Sequence, residues 1–172
     1  MAMASPLGQH ILIVMGVSGT GKTTLAKALA ERYALGYVEA DAYHPQANID
    51  KMASGTPLDD EDRWPWLQAL RTEIEAALAQ REPLIVTCSA LKQSYRDVLK
   101  RPGEPVTFVY LEGDFETIYA RMQLRDHYMK ADMLQSQFDA LEPPTDAFPV
   151  PITFSTDEQV ALVDRYITTI PS

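Results

Sequence analysis

The sequence predicts an α/β fold, in which helices pack beside a parallel sheet. Short apolar, partly β-branched runs alternate along the chain with segments of helical spacing, which is the pattern of βαβ units. A glycine-rich run, Gly16-Val-Ser-Gly-Thr-Gly-Lys-Thr23, joins the first apolar run to the first helical one. The 172 residues, 46% hydrophobic and 23% charged, match the size and composition of one globular domain.

The chain contains five candidate strands and seven candidate helices. The strand candidates are residues 11–15, 37–40, 84–88, 106–111 and 150–155. The helix candidates are residues 22–34, 47–54, 64–80, 90–100, 114–122, 131–141 and 156–170. Gly36 and Gly55 follow the first two helices, Pro65 suits a first helical turn, and Asp114 can cap the helix after it.

Composition narrows the classes of partner. The net charge of −9 argues against nucleic acid, which requires a basic surface. No apolar run approaches the roughly 20 residues of a membrane span, so no membrane partner is expected. A single cysteine, Cys88, excludes an internal disulfide framework and fits a reducing compartment. We therefore expect a cytoplasmic location.

The glycine-rich run fits the pattern G-x-x-x-x-G-K-[ST] at every fixed position, between a strand and a helix. In that context the backbone N–H groups and the helix dipole bind an oligophosphate, and Lys22 reaches the β- and γ-phosphates. The Thr23 hydroxyl is then a ligand for Mg²⁺, so ATP and Mg²⁺ are the predicted cofactors. The alternative is a turn that only joins strand to helix. The predicted nucleotide-binding residues in this run are Gly16, Ser18, Gly19, Thr20, Gly21, Lys22, Thr23 and Thr24.

A basic segment later in the chain suggests a lid. Residues 121–130 hold three basic residues and one acidic residue, in a chain whose total charge is strongly negative. Arg121 and Arg125 are four residues apart, and we predict that they clamp phosphate and stack on the base of the nucleotide. The alternative is favourable placement near a helix C-terminus. Lys130 is a weaker candidate, and His127 is predicted to have no chemical role.

Several segments closely resemble signature segments of the gluconate kinases. They are residues 41–58 (DAYHPQANIDKMASGTPL), 60–67 (DEDRWPWL), 88–97 (CSALKQSYRD) and 130–144 (KADMLQSQFDALEPP). The resemblance extends over about residues 10–170. It implies a five-stranded parallel sheet flanked by helices, in a P-loop kinase with a mobile lid. It also implies phosphorylation of D-gluconate by ATP to give 6-phospho-D-gluconate, commonly by a homodimer.

On this basis we expect a single P-loop kinase domain over residues 1–172, with a substrate-binding insert at about 41–67 and a lid at about 122–137. Asp41 lies at the carboxyl end of a predicted strand, where open α/β sheets bind ligands. We predict that it takes or orients the proton of the sugar hydroxyl; the alternative is a turn cap. Lys22, Asp41 and Arg125 are the predicted catalytic residues.

Gluconate carries a carboxylate and several hydroxyls, so its site requires cations and hydrogen-bonding groups. Arg63, Lys92 and Arg96 are the candidate cations, with solvated surface charge as the alternative. Lys92 and Arg96 are four apart, and we expect them to share a helix face and to point into one cleft. Ser89 either donates to the substrate or caps the helix predicted to begin near residue 90. The lesser candidates for substrate contact are His44, Lys51 and Gln137.

One expected group is missing from the strand at 84–88. This strand ends in Thr-Cys rather than in the Asp that P-loop enzymes supply for Mg²⁺, so either Asp41 or water provides that contact. Two rival functions also stay open: a kinase for another small acid such as shikimate, and a nucleotide-binding regulatory module that hydrolyses ATP slowly. Dependence of ADP release on gluconate separates these possibilities.

Overall fold

The chain forms a five-stranded parallel sheet, as predicted. A computed structural model describes residues 7–124 and 131–170. The strands are β1 (Ile11–Met15), β2 (Val38–Glu39), β3 (Leu84–Thr87), β4 (Val106–Glu112) and β5 (Phe148–Pro151). Their order across the sheet is β2-β3-β1-β4-β5, and every neighbouring pair is parallel.

Seven α-helices occur in the described residues, together with one 3₁₀ helix, Ala40–Tyr43. The helices are α1 (Lys22–Tyr33), α2 (Gln46–Ala53), α3 (Asp60–Gln80), α4 (Gln93–Leu99), α5 (Phe115–Gln123), α6 (Ala131–Ala140) and α7 (Thr156–Thr169). Each lies within a few residues of its predicted position. None of the helices in the described ranges combines the length and hydrophobicity that crossing a bilayer requires.

Two helices begin where local chemistry, rather than periodicity, places them. Helix α3 starts four residues before the predicted position because Asp59 and Asp62 form a capping box, in which each side chain accepts the other's backbone N–H. Helix α4 starts three residues after the predicted position because Ala90 has a φ of 47°, which interrupts a right-handed helix. Lys92 is therefore the N-cap residue of α4 and has an extended backbone.

The last strand differs most from its prediction. Strand β5 covers Phe148–Pro151 rather than residues 150–155, and it pairs only with β4. A strand at the edge of a sheet accommodates proline, because on its outer side there is no neighbouring strand to which a backbone N–H would have to donate. The chain then turns, and Ser155 and Glu158 form a capping box that starts α7.

The centre of the sheet determines where a ligand can bind. All five residues of β1 are fully buried, and since alternate residues point to opposite faces, both faces of this strand are covered. Strand β1 lies between β3 and β4. After β1 the chain forms β2 and β3 on one side of it, and then β4 and β5 on the other side, so the strand order reverses at β1. Ligands of open α/β sheets bind at such a reversal, beyond the carboxyl end of the strand. The glycine-rich run follows that end of β1.

Candidate active site

The phosphate-binding loop of the protein is residues 16–23, which we call the P-loop. Thr20, which is buried, donates from its hydroxyl to the carbonyl of Val17 at 2.9 Å. The Lys22 ammonium donates to the carbonyls of Gly16 and Val17 at 3.0 and 3.1 Å. Burial lowers the pKa of Lys22, and the negative charges of Asp41 and Glu39 partly oppose this effect. The loop thus holds a cation that a phosphate group can neutralise.

Helix α1 begins directly at this loop with its N-terminus open. Gly21, at its N-cap, is left-handed with a φ of 92°, and no side chain in the described residues caps the helix there. The first N–H groups and the helix dipole therefore point out of the loop. Thr23 and Thr24 are exposed on this first turn. This arrangement suits an anion, as the sequence predicts.

Helix α5 packs directly on the tip of the P-loop. A Cβ added to Gly19, whose φ is 83°, would lie 2.7 Å from the Cγ and Sδ atoms of Met122. The positive φ favours glycine here, and a larger residue would also have to displace the Met122 side chain. Arg121, the residue before Met122, is half-buried in the last turn of α5. Arg125, the residue predicted to act with it, lies outside the described residues, as do His127 and Lys130.

Helix α6 contacts the neighbouring residue of the P-loop. The Gln137 side chain accepts from the backbone N–H of Ser18 at 2.7 Å and donates to the Ser18 hydroxyl at 2.9 Å. Helices α5 and α6 also meet each other, because the rings of Phe115 and Phe138 pack edge to face with centroids 5.8 Å apart. The two helices that flank the segment at 125–130 therefore both rest on the P-loop.

The carboxylates at the end of β2 face the same edge of the sheet. Asp41 lies in the 3₁₀ helix, with 90% of its side chain exposed, and its Oδ1 is 4.0 Å from Nε2 of His44. Glu39 accepts from the Thr87 hydroxyl at 2.9 Å, at the point where β3 ends. Glu39 was not among the residues predicted from the sequence, although it lies two residues before Asp41 at the same strand end, which is a usable signal.

His44 is enclosed rather than open to a ligand. Only 4% of its side chain is exposed, and its ring stacks on Trp66 with centroids 4.2 Å apart. Trp66 in turn donates from its indole N–H to the carbonyl of Ala40 at 2.7 Å. Burial lowers the pKa of His44. This environment indicates a supporting role beside Asp41.

A second group of charged side chains joins the start of α3 to the start of α4. The Tyr95 hydroxyl donates to Oδ1 of Asp60, the Lys92 ammonium donates to the same oxygen at 3.0 Å, and the Arg63 guanidinium donates to the Tyr95 oxygen at 2.7 Å. Both cations also lie over the Tyr95 ring, 5.2 and 5.7 Å from its centroid. We call Asp60, Arg63, Lys92 and Tyr95 the cationic cluster.

The cationic cluster shifts the ionisation of its members. The hydroxyl of Tyr95 and the ammonium of Lys92 lower the pKa of Asp60, and Asp60 in turn raises the pKa of Lys92. Burial is the larger cause of the raised pKa of Tyr95, and the hydrogen bond to Asp60 adds to it. Asp60 and Tyr95 were not selected from the sequence, although both lie inside the family-like segments, because we searched there for cations.

The cationic cluster opens onto a cleft of about 460 Å³. Three of the predicted substrate residues line it: Arg63, Lys92 and Gln137. Because Gln137 also bonds to Ser18, the cleft reaches the P-loop at this side chain. The structure therefore brings together cations from α3 and α4 with the loop predicted to hold phosphate.

Arg96 is placed differently from our prediction. It is 2% exposed, and its guanidinium donates to the backbone carbonyls of Ala90 and Glu142 at 2.7 and 2.8 Å. The prediction that Lys92 and Arg96 share a helix face is wrong, because Lys92 precedes the first helical residue and its extended backbone breaks the helical spacing. Burial lowers the pKa of Arg96. Its position is that of a residue that holds α4 against the loop after α6.

Two further predicted residues have surroundings that the sequence did not reveal. Lys51 donates to the Asp62 carboxylate at 2.6 Å and lies 3.7 Å from that of Asp59, so it ties α2 to the capping box of α3. The capping alternative for Ser89 is wrong, because α4 begins at Gln93. The carbonyl of Ser89 accepts from the backbone N–H of Gly16 at 3.3 Å. Contact of the Ser89 side chain with a substrate stays a prediction.

Cys88, directly before Ser89, is a core residue. It is 2% exposed, and burial raises its pKa to about 12. A thiol with this pKa is not a nucleophile at neutral pH.

Comparison with known proteins places these features in a family. A family model described as an AAA domain matches residues 11–144. The thermoresistant gluconokinase of Escherichia coli K12 is 43% identical over 136 residues, which cover 78% of each chain. The gluconokinase of Gluconobacter oxydans is 43% identical over 145 residues, which cover 84% of this chain and 82% of that protein.

Solved structures agree with this relationship. The crystal structure of a gluconokinase from Sinorhizobium meliloti superposes with a TM-score of 0.84 at 40% identity, covering 93% of this chain and 92% of that one. The Mycobacterium tuberculosis APS kinase CysC, solved with AMPPNP and APS, shares the fold at 16% identity and a TM-score of 0.68. The identity to the curated relatives, over more than two thirds of the chain, shows that this protein belongs to the gluconokinase family of P-loop kinases.

Proposed function

We propose that this protein transfers the γ-phosphoryl group of ATP to D-gluconate, giving ADP and 6-phospho-D-gluconate. One structural observation carries the proposal beyond membership of the family: Gln137 bonds to Ser18 of the P-loop and lines the same cleft as Asp60, Arg63 and Lys92 of the cationic cluster. An acid held by the cluster would therefore present its far end to the phosphates. Relatives named gluconokinases support this choice of acid.

The nucleotide phosphates would lie on the P-loop. The open N-terminus of α1 offers N–H donors. On binding, the Lys22 ammonium would exchange its two carbonyl partners for negatively charged phosphate oxygens. Positioning and electrostatic stabilisation supply nearly all catalysis in phosphoryl transfer. Arg121, at the end of α5 beside the loop, is a further candidate for the phosphates, and the role of Arg125 stays a prediction.

The residues at the P-loop fit Mg²⁺, the metal implied for such kinases. Mg²⁺ takes oxygen ligands and is usually bound through one or two protein groups, substrate phosphates and water. Thr23 offers an exposed hydroxyl on the first turn of α1. No group of three or more His, Cys, Asp or Glu side chains that could hold a metal ion occurs in residues 7–124 and 131–170. Bound there, Mg²⁺ would supply partial neutralisation of the triphosphate.

The carboxylate of gluconate would bind at the cationic cluster. Within the cluster Arg63 and Lys92 carry two positive charges against the single negative charge of Asp60, while the Asp59 carboxylate, which lines the same cleft with Glu61, lies 3.7 Å from Lys51. Tyr95, which is buried, would hold both Asp60 and Arg63 in place through its hydroxyl. Arg96 is left out of this proposal because its guanidinium is buried against backbone carbonyls.

Asp41 is the candidate base. The terminal hydroxyl oxygen of gluconate attacks the γ-phosphorus, the bond from phosphorus to the ADP oxygen breaks, and the hydroxyl proton passes to the Asp41 carboxylate. The 90% exposure of the Asp41 side chain leaves it open to a substrate, and its charge acts on Lys22 across the same edge of the sheet. The homodimer stays a prediction that rests on the family resemblance, and the cytoplasmic location stays a prediction that rests on composition.

A substrate panel tests the proposal. With ATP and Mg²⁺ present, we expect D-gluconate to stimulate ADP formation strongly, and other common sugars and sugar acids to have little effect. Equal stimulation by shikimate or by a nucleoside monophosphate would reject the assignment of the acceptor. Slow ADP formation that ignores every added acid would indicate the nucleotide-binding regulatory module instead.

A further inference from the structure

The His44 ring is held in one place by its packing. It stacks on the buried Trp66 at an interplanar angle of 17°, and Trp66 is itself anchored to the backbone at Ala40. Ala40 and Asp41 belong to the same 3₁₀ helix, so the packing that anchors the ring also fixes the backbone that carries the Asp41 side chain. Only the protonation of the two ring nitrogens then decides what His44 offers to Asp41.

Asn48 decides that protonation. Its side-chain Nδ2 donates to the backbone carbonyl of Asp62 at 2.8 Å, and a carbonyl can only accept, so the orientation of the amide is determined. The same Nδ2 lies 3.2 Å from Nδ1 of His44 and carries a second hydrogen. Nδ1 must therefore accept, and the ring proton of neutral His44 must be on Nε2.

The charges around the ring agree with this assignment. Nε2 is the ring nitrogen near Asp41, 4.0 Å from Oδ1, so in this tautomer the N–H is the group nearest to that carboxylate. In the other tautomer two donors would meet at Nδ1 and a lone pair would face the carboxylate. Burial and the charge of Arg63 lower the pKa of His44, while Asp41 acts against them, so the ring stays neutral near pH 7.

We propose that Asn48 is a positioning residue, which holds His44 as the neutral Nε2–H tautomer so that this N–H orients the Asp41 carboxylate. A neutral donor directs the carboxylate without forming an ion pair, which would make Asp41 a weaker base. Hydrogen bonds in active sites commonly shorten once substrate is bound, and the exposed Asp41 side chain is free to rotate toward the ring. The role of Asp41 as a base rests on the proposed function; the tautomer of His44 does not.

The tautomer can be measured directly on the wild-type protein. The chain has three histidines, so the His44 ring signals in a ¹⁵N-labelled sample are assigned by their loss in His44→Gln. At about pH 7 we expect two-bond ¹H–¹⁵N spectra to show Nε2 protonated and Nδ1 unprotonated. A protonated Nδ1, in either a neutral or a charged ring, would overturn the proposal. This readout is unaffected if gluconate proves not to be the substrate.

Asn48→Asp then tests the link to Asp41. The new carboxylate can only accept, so it should place a proton on Nδ1 in either a neutral or a charged ring, and we expect kcat to fall at least about tenfold while the KM for gluconate changes much less. Gln46→Glu makes the same amide-to-carboxylate change at an exposed position of α2 and should leave kcat and the His44 spectrum unchanged. A folded Asn48→Asp protein with the changed tautomer and wild-type kcat would overturn the positioning role.

Discussion

At the scale of one residue, Lys22 places a positive charge inside the P-loop. Its ammonium is surrounded by loop carbonyls rather than by a carboxylate, and burial lowers its pKa. A cation with only neutral partners has much to gain from a phosphate. The side chain adds little to the packing of the fold, since its described contacts lie within its own loop.

We therefore expect Lys22→Ala to lose most activity and little stability. Removing one charged donor from the transferred phosphoryl group should raise the activation free energy by about 2.7–4 kcal/mol, the range for comparable electrostatic donors. Steady-state kinetics and thermal unfolding measure the two effects. Lys27→Ala, an exposed lysine on the same helix, is the matched control. Turnover within about twofold of wild type would contradict the role of the P-loop in catalysis.

Asp41→Asn tests the candidate base. The substitution keeps the size of the side chain but removes its charge and its ability to take a proton, so kcat should fall about 10²–10⁴-fold. The dissociation constant for gluconate without ATP should stay within about tenfold of wild type, because Arg63 and Lys92 still bind the acid.

Loss of gluconate binding in Asp41→Asn would assign a different role to this residue. If Asp41→Asn loses gluconate binding while single-turnover chemistry on saturated enzyme stays fast, then Asp41 is a binding residue. The reaction would then need either another base or none.

At the scale of elements, α4 depends on a single buried arginine. Ala90 and Lys92 are not helical, and the Arg96 guanidinium donates to the Ala90 carbonyl in the segment between β3 and α4. The same side chain reaches the carbonyl of Glu142, just after α6. Arg96 thereby fixes the start of α4, where Lys92 and Tyr95 contribute to the cationic cluster.

We expect Arg96→Met to lower the free energy of unfolding by about 1–3 kcal/mol, since it leaves the carbonyl of the buried Ala90 without this donor. Arg101→Met, at a side chain that is 65% exposed, should change stability by no more than about 0.5 kcal/mol. Denaturant unfolding measures both. A large rise in the KM for gluconate with unchanged stability would instead support the substrate contact predicted from the sequence.

At the scale of the whole molecule, ion pairs connect segments that are distant in the chain. Arg71 of α3, whose side chain is 4% exposed, pairs with Glu104 at 2.6 Å, just before β4. Arg32 and Tyr33 of α1 both donate to Asp164 of α7, at 2.9 and 2.8 Å. The hydrogen bonds from Arg71 lower the pKa of Glu104. These links make part of the stability depend on pH.

The sign of that dependence follows from the direction of the pKa shift. A carboxylate with a lowered pKa in the folded state contributes stability above its ordinary pKa, 4.5 for Glu104, and loses it as the pH falls through the lower, folded value. Glu104→Gln should therefore cost about 1.5–3 kcal/mol near neutral pH and progressively less below pH 4.5. Urea unfolding at several pH values tests this.

Glu82→Gln, an exposed carboxylate just before β3, is the matched control and should show little difference from wild type at any pH. An equal cost for Glu104→Gln at neutral and acid pH would mean that the loss comes from packing rather than from the ionised pair.

Local patterns in the sequence determined the frame of this protein. The bounds of β1 were predicted correctly, α7 differs from its prediction by one residue, and the P-loop lies where its glycines and lysine place it. These features depend on spacing, turn chemistry and burial within a few neighbouring residues. The start of α4 and the position of β5 were missed because a positive φ at Ala90 and an edge strand with two prolines leave no reliable local signal.

Only the tertiary structure decided what the polar side chains do. Gln137 meets Ser18 across 119 residues of sequence, and the partners of Arg96 include Glu142, 46 residues away. The sequence marks Arg63, Lys92 and Arg96 as equivalent cations, but burial and backbone partners separate the third from the other two. A charged or titratable group takes its role from its solvation and its neighbours, and folding brings those neighbours from distant parts of the chain.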